Sequence, residues 1–356
     1  MALLDNIGGS LSSGVPDIIA PFTDDLLQGL LRLHHEPYEY FDDRAVLGAL
    51  SADPSGYVEA VFASLCLVAS GAAGLDLPPK MLFSDPGGHS DFRVMPCVVR
   101  FPGHVRKTVK IIGTNWPRQV VPGEISVGKA FALHAQENFI EAGFAGCVLS
   151  SARTGVCAAL AQRLLEPDAV SLAVVGAGRV GYFSALYMAA QGKLKQVRFH
   201  DIDRQRASLA AAAIGSAFPG VTAGVCSCDD ATCAEVLVLA SDSEQPLFSA
   251  LGRRPPLVIS LGADTDWQSE VAASALDHYG LFVDSFDSLR YGDLARFSRA
   301  GLLDGRVVTD LLSLLPGGTA PPPAPRLFIS TGSALFDNLT IDYLLTSGLL
   351  NRSPVK

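Results

Sequence analysis

A glycine-rich turn between a short apolar run and a helix-forming segment constrains this chain most. Residues 171–175, Ser-Leu-Ala-Val-Val, lead into the pattern Gly176-Ala-Gly178-Arg-Val-Gly181. In such a pattern the first glycine makes the tight turn, the second lets the backbone approach a pyrophosphate, and the third lets the helix pack closely on its strand. The free N–H groups at the start of the helix suit phosphate oxygens. The sequence therefore predicts a dinucleotide-binding βαβ unit.

An acidic residue follows near the distance expected for a ribose contact. The next apolar run, 196–200, ends at Asp201, close to the usual gap of about 20 residues after the turn. A carboxylate there accepts hydrogen bonds from ribose hydroxyls and repels a 2′-phosphate, which favours NAD over NADP. Neighbouring basic residues weaken this preference: Arg198, Arg204 and Arg206. A glycine pattern can also mark an ordinary βα turn, but the order of strand, turn, helix, strand and acid favours the dinucleotide site.

Composition excludes several classes of protein. With 356 residues, 49% of them hydrophobic and 18% charged, the chain suits folded cores rather than disorder. A net charge of −9 without a basic stripe argues against a nucleic-acid partner. Seven irregularly spaced cysteines fit a reducing compartment better than a disulfide framework. The first residues lack a basic leader region, and the apolar stretch 61–75 is too short to span a bilayer, so we expect a cytoplasmic protein without a membrane partner.

The order of predicted elements indicates an α/β fold. A short strand and two helices begin at Tyr38, and a helix follows Ser150 and ends near Leu165. Between them we predict strands at 92–101, 108–112 and 129–134. From residue 167 strands alternate with helices, as a parallel sheet requires. The predicted strands of that sheet are 171–175, 196–200, 221–226, 235–240, 257–261 and 280–284.

We expect two domains, one inserted in the other. Residues 1–166, with an N-terminal extension at 1–36, would begin an α+β substrate-binding and dimerisation domain, and residues 167–316 would form the inserted Rossmann domain. The proline-rich segment 316–325 reads as an extended linker. Residues 317–356, with a final helix at about 335–346, would then return to the first domain.

Five segments together resemble the ornithine cyclodeaminase/μ-crystallin family over roughly residues 38–345. In chain order they are Met95-Pro96 followed by Val109-Lys110-Ile111-Ile112, then Ser151-Ala152-Arg153-Thr154, the Gly176 turn, Gly262-Ala263-Asp264 with Glu270, and Ser330-Thr331-Gly332-Ser333-Ala334 with Asp337. No single segment is highly specific for this family, but the order and spacing of all five together are specific. The resemblance implies a homodimer joined through the substrate domains, and hydride transfer at a carbon that bears an amino group.

The resemblance places the substrate carboxylate on Arg153 and Lys110. A forked guanidinium and an ammonium suit such a group. We expect Arg153 directly ahead of a helix, whose N-terminus would favour the negative charge. Lys110 would lie on a facing strand, and we also assign it a catalytic role. The alternatives are a capping arginine at the surface and a solvated strand lysine.

Asp264 is the predicted acid/base. It lies just beyond the apolar strand 257–261, at the end where open α/β sheets bind ligands. In the family this aspartate is the proposed acid/base for water addition to an imine or for ring closure. The alternative is a helix N-cap. The residues after Asp264 lack the Pro-Gly-Lys of many cyclodeaminases and alanine dehydrogenases, which leaves the substrate open.

Arg93 departs from the family pattern. Some ornithine cyclodeaminases have a glutamate two residues before Met95-Pro96, where it meets the distal amine of the substrate. A guanidinium there would repel an ornithine side chain and favour a substrate with a second carboxylate. The alternative is that Arg93 points to solvent. We therefore assign Arg93 to substrate binding and expect a substrate other than ornithine.

The predicted function is that of an NAD-dependent oxidoreductase acting on the C–N bond of an amino acid or N-substituted amino acid through an imine, as in dehydrogenases of diaminopropionate biosynthesis. One alternative is a cyclodeaminase that recycles its NAD, and another is a non-catalytic binding protein of the μ-crystallin kind. We expect no metal site, since Cys226, Cys228 and Cys233 lack a second ligand pair. We assign cofactor contacts to Thr154, Gly176, Ala177, Gly178, Arg179, Val180, Gly181, Asp201, Ser241 and Gly332.

Overall fold

Two β-sheets organise the residues that the computed structural model describes. These residues are 36–84, 90–123, 125–315, 317–318, 323 and 325–350. The predicted N-terminal extension, 1–36, lies outside this range except for its last residue, as do parts of the proline-rich segment 316–325.

The first sheet is largely antiparallel and contains the three strands predicted in the first half of the chain. Its strands follow the order β1-β7-β6-β5-β4-β2, and β3 also pairs with β4. The bounds are β1 (Glu39–Phe41), β2 (Gly74–Asp76), β3 (Met81–Ser84), β4 (Asp91–Phe101), β5 (His104–Thr114), β6 (Ser126–Leu133) and β7 (Ile140–Ala145). Along β4, Arg93, Met95, Cys97 and Val99 are buried in alternation, which is the pattern of a sheet with one face on the core. β7 was not predicted.

Helices cover the buried face of this sheet. They are α1 (Asp43–Ala52), α3 (Gly146–Leu165) and α8 (Ala334–Thr346), and α2 (Pro54–Ala69) packs against α3 and α8. Helix α3 packs against β6, and α8 packs against β4 and β5. Asp53 caps α2, since its side chain accepts from Gly56 N (2.8 Å) with Pro54 at the first helical position. Among the described ranges, no helix combines the length and apolar character needed to cross a bilayer.

The second sheet is parallel and has the order β10-β9-β8-β11-β12-β15-β13-β14. Its strands are β8 (Ser171–Val175), β9 (Gln196–His200), β10 (Thr222–Val225), β11 (Val236–Leu239), β12 (Leu257–Ser260), β13 (Gly280–Val283), β14 (Val308–Asp310) and β15 (Arg326–Ile329). The helices between them include α4 (Arg179–Ala190), α5 (Arg204–Ala217), α6 (Cys228–Ala231) and α7 (Gly292–Arg299). The six predicted strands are confirmed. The strand order reverses between β8 and β11, and open α/β sheets bind ligands at such a point.

Strand β15 corrects the predicted layout. We expected residues 317–356 to return to the first domain, but β15 pairs with β12 and β13 inside the parallel sheet. Leu327, Phe328 and Ile329 are all buried, as a central parallel strand requires. The chain therefore leaves the parallel sheet after Ile329. Both sheets belong to one compact unit, Tyr38–Lys356, and a division into two domains remains a prediction.

The glycine turn after β8 has the predicted local geometry. Gly176 has φ +99°, and a Cβ there would lie 2.2 Å from the carbonyl oxygen of Ala240. A Cβ on Gly181 would lie 2.0 Å from the carbonyl oxygen of Gly176. At Gly178 a Cβ would meet open space, with no heavy atom within 4 Å. Gly176 and Gly181 are thus required by the fold, whereas Gly178 leaves room for a ligand.

These differences predict unequal effects of alanine substitution. Gly176→Ala should lower the free energy of unfolding by at least about 2 kcal/mol, because alanine is strained at this positive φ and its Cβ overlaps a backbone oxygen. Gly178→Ala, at an ordinary φ of −74°, is the matched control and should change it by less than about 1 kcal/mol. Denaturant unfolding without ligand measures both. Equal losses in the two variants would contradict this account of the turn.

Candidate active site

A cavity of about 910 Å³ opens at the carboxyl ends of the parallel strands. A pocket of about 40 Å³ shares part of its wall, including Arg93, Arg153 and Asp264. The larger volume lies in the range of cofactor and small-ligand sites. Most predicted site residues line it, namely Arg93, Arg153, Thr154, Gly176, Ala177, Gly178, Arg179, Val180, Asp201, Ser241, Asp264 and Gly332. The predicted residues that do not line it are Lys110 and Gly181.

One end of the cavity fits the diphosphate and ribose of a dinucleotide. Gly178 is the N-cap residue of α4 and offers no side-chain cap, so the first N–H groups of that helix are available to phosphate oxygens. Asp201 follows β9, and its Oδ2 accepts from Ala177 N at 2.8 Å. A carboxylate has about four acceptor sites, which leaves capacity for ribose hydroxyls. Arg206 NH1 lies 3.9 Å from Asp201 Oδ2.

A buried ionic cluster lies at the other end. Lys110 Nζ is 2.8 Å from Asp337 Oδ1, and Arg153 Nε is 3.3 Å from the same oxygen. Ser150 Oγ lies 3.3 Å from both Lys110 Nζ and Arg153 NH2. Burial and the nearby Arg153 charge lower the pKa of Lys110 to about 8, against the opposing effect of Asp337. The two cations are therefore held together by one carboxylate and one hydroxyl.

The alternatives for these two cations are wrong. Arg153 and Lys110 are 8% and 1% exposed, so neither is a surface residue. The expected position of Arg153 ahead of a helix is also wrong, because it lies about two turns inside α3. The helix begins earlier because the Asp43 side chain accepts from Val148 N (2.9 Å), a contact between distant segments. The helix dipole acts within the first turn and does not favour an anion at Arg153.

Lys110 lies one layer behind the cavity wall. Its amine reaches the wall through Ser150, which lines both the cavity and the pocket. The predicted direct contact between Lys110 and a substrate carboxylate stays a prediction. The side chain that the structure does present to the cavity from this cluster is Arg153.

Arg93 faces the site and joins two carboxylates. Its NH1 forms an ion pair with Asp264 Oδ2, and its NH2 lies 3.1 Å from Asp91 Oδ2. Asp91 also accepts from Thr114 Oγ1 at 2.9 Å. The alternative that Arg93 points to solvent is therefore wrong. The expected free guanidinium for a second substrate carboxylate is not found either, since Asp91 and Asp264 already pair with it.

Asp264 projects into the cavity from the loop after β12. Its side chain is 31% exposed and lines both the cavity and the pocket. The helix N-cap alternative is wrong, because residues 265–267 form a turn and no helix starts there. A carboxylate between an arginine and an open cavity can exchange a proton with a bound molecule.

Lys80 is a site residue that sequence reasoning missed. Its Nζ donates to Thr331 O (2.6 Å) and Thr331 Oγ1 (3.2 Å) and lies 3.8 Å above the centre of the Tyr291 ring. Burial, helped by the Arg93 charge, lowers the pKa of Lys80 to about 7. Within the part of the chain that the structure describes, Lys80 has no carboxylate partner within 4.0 Å. A lysine after two prolines carries no local signal, and its partners lie far along the chain.

The remaining assigned residues shape the cavity wall. Thr154 Oγ1 donates to Ser150 O (2.8 Å), and Ser241 donates through N and Oγ to the buried carboxylate of Glu270 (2.7 and 3.0 Å). Gly332 has φ +89°, and a Cβ there would lie 2.8 Å from Arg153 NH1. Gly332 therefore makes room for the guanidinium. In the described ranges, no group of three or more His, Cys, Asp or Glu side chains could hold a metal ion.

Comparison with known proteins agrees with the resemblance seen in the motifs. The family model described as "Ornithine cyclodeaminase/mu-crystallin family" matches residues 46–335. An L-lysine cyclodeaminase of Streptomyces rapamycinicus is 27% identical over 282 residues, which is 75% of this chain and 79% of that enzyme.

Two solved structures share the fold. One is the Thermococcus litoralis Δ1-pyrroline-2-carboxylate reductase in complex with NADH and L-proline, with a TM-score of 0.76 at 17% identity, covering 87% of this chain and 97% of that one. The other is an archaeal alanine dehydrogenase dimer with bound NAD, with a TM-score of 0.74 at 19% identity, covering 87% and 95%. At these identities the likeness shows the fold alone.

The lowered lysine pKa values predict that anion binding at the pocket depends on pH. Lys80 and Lys110 are charged below about 7 and about 8, and each loses its charge as the pH rises. The affinity for pyrrole-2-carboxylate, a planar carboxylate, should fall by about tenfold or more between pH 6 and pH 9. Calorimetry measures this, and Lys80→Met should remove the lower step. An affinity independent of pH would contradict the prediction.

Proposed function

The chain belongs to the ornithine cyclodeaminase/mu-crystallin family, and we propose that it is an NAD-dependent enzyme that interconverts an amino acid, or an N-substituted amino acid, and its imine. The observation that carries this proposal is one cavity with a dinucleotide cradle at one end and a cluster of buried cations at the other. Asp264 lies in the wall shared by the cavity and the pocket. A nicotinamide cofactor and an amino acid would therefore meet beside a carboxylate.

The cofactor would be held by the turn after β8 and by Asp201. The N–H groups at the start of α4 would bind its phosphates, and the Asp201 carboxylate would accept from ribose hydroxyls and disfavour a 2′-phosphate. NAD, when bound, supplies the acceptor for the hydride that leaves the α-carbon. Related structures that hold NADH or NAD have the same fold, which supports this choice.

The substrate carboxylate would lie between Arg153 and Lys80. The terminal nitrogens of Arg153 can bind two oxygens at once, and Lys80 adds an amine that has no carboxylate within 4.0 Å among the described residues. Fixing the carboxylate orients the α-carbon and its nitrogen toward Asp264, which reduces the entropic cost of reaching the reactive geometry.

Asp264 would move protons at the substrate nitrogen and at an attacking water. The Asp264 carboxylate accepts a proton from water as the water oxygen adds to the imine carbon. The same proton can then pass to the leaving amine. Oxidation to the imine releases one hydride and one proton, and hydrolysis yields ammonia and an oxo acid. Arg93 holds Asp264 through an ion pair, which keeps its carboxylate in place.

Cyclodeamination is the second candidate, and Asp91 favours it. Arg93 alone would repel the distal amine of a diamino acid, but Asp91 and Asp264 together carry more negative charge than Arg93 offsets. A distal ammonium is therefore tolerated at this position. The sequence similarity to an L-lysine cyclodeaminase supports the same reaction class. A protein that only binds cofactor and ligand would not need Asp264.

We also propose that the protein forms a homodimer through its antiparallel sheet. Apolar side chains are exposed along β3, β4 and β5, namely Met81, Leu82, Phe83, Phe92 and Ile111. The rings of Phe83 and Phe92 stack at 4.7 Å. A contiguous apolar patch of this kind is typical of a protein interface. An alanine dehydrogenase of the same fold is a dimer, which supports a second copy as the partner.

We propose a cytoplasmic location on the basis of the cysteines. All seven are free thiols. Proteins of oxidising compartments commonly convert such thiols to disulfides. The thiols therefore fit a reducing compartment, where amino acids and NAD also occur.

The reaction can be assigned with a panel of amino acids. With NAD and each candidate, NADH absorbance and ammonia are followed together. NADH and ammonia in equal amounts identify a dehydrogenase, whereas ammonia with a cyclic product and no NADH identifies a cyclodeaminase. Tight NAD binding without turnover on any substrate would indicate a binding protein, and failure to bind any nicotinamide cofactor would overturn the proposal.

The role of Asp264 predicts a selective loss of turnover. Asp264→Asn should lower kcat by about 10²- to 10⁴-fold, because the amide cannot accept the proton, while NAD affinity should change little. Asp266→Asn is the matched control, since Asp266 lies two residues away and pairs with Arg299 at the surface. Comparable kcat in the two variants would exclude Asp264 as the acid/base.

The dimer proposal predicts a molar mass in solution twice that of one chain. Phe92→Ser should favour the monomer, because it removes a stacked ring from the exposed patch. Leu251→Ser, at an exposed leucine outside the patch, should leave the mass unchanged. Light scattering measures all three proteins, and a monomeric wild type would contradict the proposal.

A further inference from the structure

Asp337 is a buried carboxylate that the proposed reaction does not use directly. It lies in the first turn of α8 with 2% of its side chain exposed. Its Oδ1 contacts both Lys110 and Arg153, and its Oδ2 has no hydrogen-bond partner among the described residues. Burying a carboxylate costs several kcal/mol unless charges and hydrogen bonds compensate. Lys110 and Arg153 compensate the carboxylate at Oδ1 only.

Helix α8 fixes Asp337 by contacts on either side of it. Ser333 Oγ caps the helix by accepting from Leu335 N (3.3 Å). Asn338 Nδ2, with two N–H groups, lies within hydrogen-bond distance of three oxygens of β4 and β5, namely Cys97 O (3.2 Å), Arg106 O (3.0 Å) and Thr108 Oγ1 (3.0 Å). The helix cannot shift without breaking these buried bonds, so the carboxylate has a defined position relative to the sheet.

The position of Asp337 determines which edge of Arg153 faces the cavity. Asp337 Oδ1 lies 3.3 Å from Nε of the guanidinium and pairs with it by charge, while Nε has no hydrogen-bond partner among the described residues. The terminal nitrogens then lie beside Gly332, where a Cβ would be 2.8 and 2.9 Å from NH1 and NH2. Because Arg153 lines both the cavity and the pocket, these terminal nitrogens are the ones that a ligand can reach.

We propose that Asp337 is the positioning residue of this site, holding the Nε edge of Arg153 and the charged amine of Lys110 so that the arginine presents its two terminal nitrogens to the substrate carboxylate. This inference rests on the proposed function. Asp337 itself touches neither substrate nor cofactor and acts through the two cations.

The surroundings of Lys110 give the proposal a measurable consequence. Lys110 on β5 faces Arg153 of α3, Asp337 of α8 and, at longer range, Arg93 of β4. Burial and the arginines lower the pKa of Lys110, and Asp337 raises it. The other titratable groups near Asp337 are Tyr57 and Cys97, whose pKa values burial raises, so both are neutral at ordinary pH. Removing the Asp337 charge must therefore lower the pKa of Lys110.

The direct test is an NMR titration of protein labelled with ¹³Cε-lysine, with Lys110→Met to assign the signal. In the wild type the Lys110 midpoint should lie near pH 8. In Asp337→Asn it should fall by about 1–3 units, the size expected when a close opposite charge is lost. Asp342→Asn is the matched control on the same helix, since Asp342 pairs with Arg106 and His104 away from the cavity, and it should leave the midpoint unchanged.

The titration needs no turnover, so it tests this inference even if the proposed reaction fails. In an active enzyme, Asp337→Asn should also raise KM for the amino acid by about 10- to 100-fold while NAD affinity stays the same. If this variant does not fold, Arg153→Gln and Arg153→Gln/Asp337→Asn are compared, because the second variant deletes one charge of each sign. A Lys110 midpoint that does not fall on removal of Asp337 would overturn the proposal.

Discussion

The site depends on the balance of charges that have been taken out of water. Its buried cations are Lys80, Arg93, Lys110 and Arg153, and the carboxylates that pair with three of them are Asp91, Asp264 and Asp337. Burial of each ion is costly, and it is tolerated only where opposite charges and hydrogen bonds compensate. Among the described residues, Lys80 has no carboxylate within 4.0 Å. Asp264, Asp284 and Asp287 act on it at longer range, so a substrate carboxylate would be its close partner.

The parallel sheet holds the other half of the site through a second buried carboxylate. Glu270 accepts from Ser241 N at the end of β11 and from Leu261 N and Gly262 N after β12. These bonds tie the loop after β11, which borders the strand-order reversal, to the loop after β12. Asp264 follows Gly262 directly, so its position depends on the same anchor. Because Glu270 holds both loops, the Asp264 side chain keeps a defined position in the cavity wall.

Local patterns predicted the parts of this structure that neighbouring residues determine. The Gly176 turn, the alternating strands and the positions of Asp201 and Asp264 after their strands follow from short segments of sequence. The pairing of Arg93 with Asp264 and the burial of Lys80 do not, because Asp264 and Thr331 lie far along the chain from them. The start of α3 was misplaced for the same reason, as Asp43 provides its cap. Strand β15 lies in the parallel sheet because tertiary packing determines which strands become neighbours. The composition of the β15 segment does not encode that pairing.

A crystal structure with NADH and pyrrole-2-carboxylate tests the central claim most directly, namely that Arg153 and Lys80 bind one carboxylate beside the nicotinamide. The account predicts the carboxylate at about 3 Å from the terminal nitrogens of Arg153 and from Lys80 Nζ, with the ring between Asp264 and the nicotinamide. A carboxylate bound away from Arg153 and Lys80 while NADH occupies its cradle would contradict it.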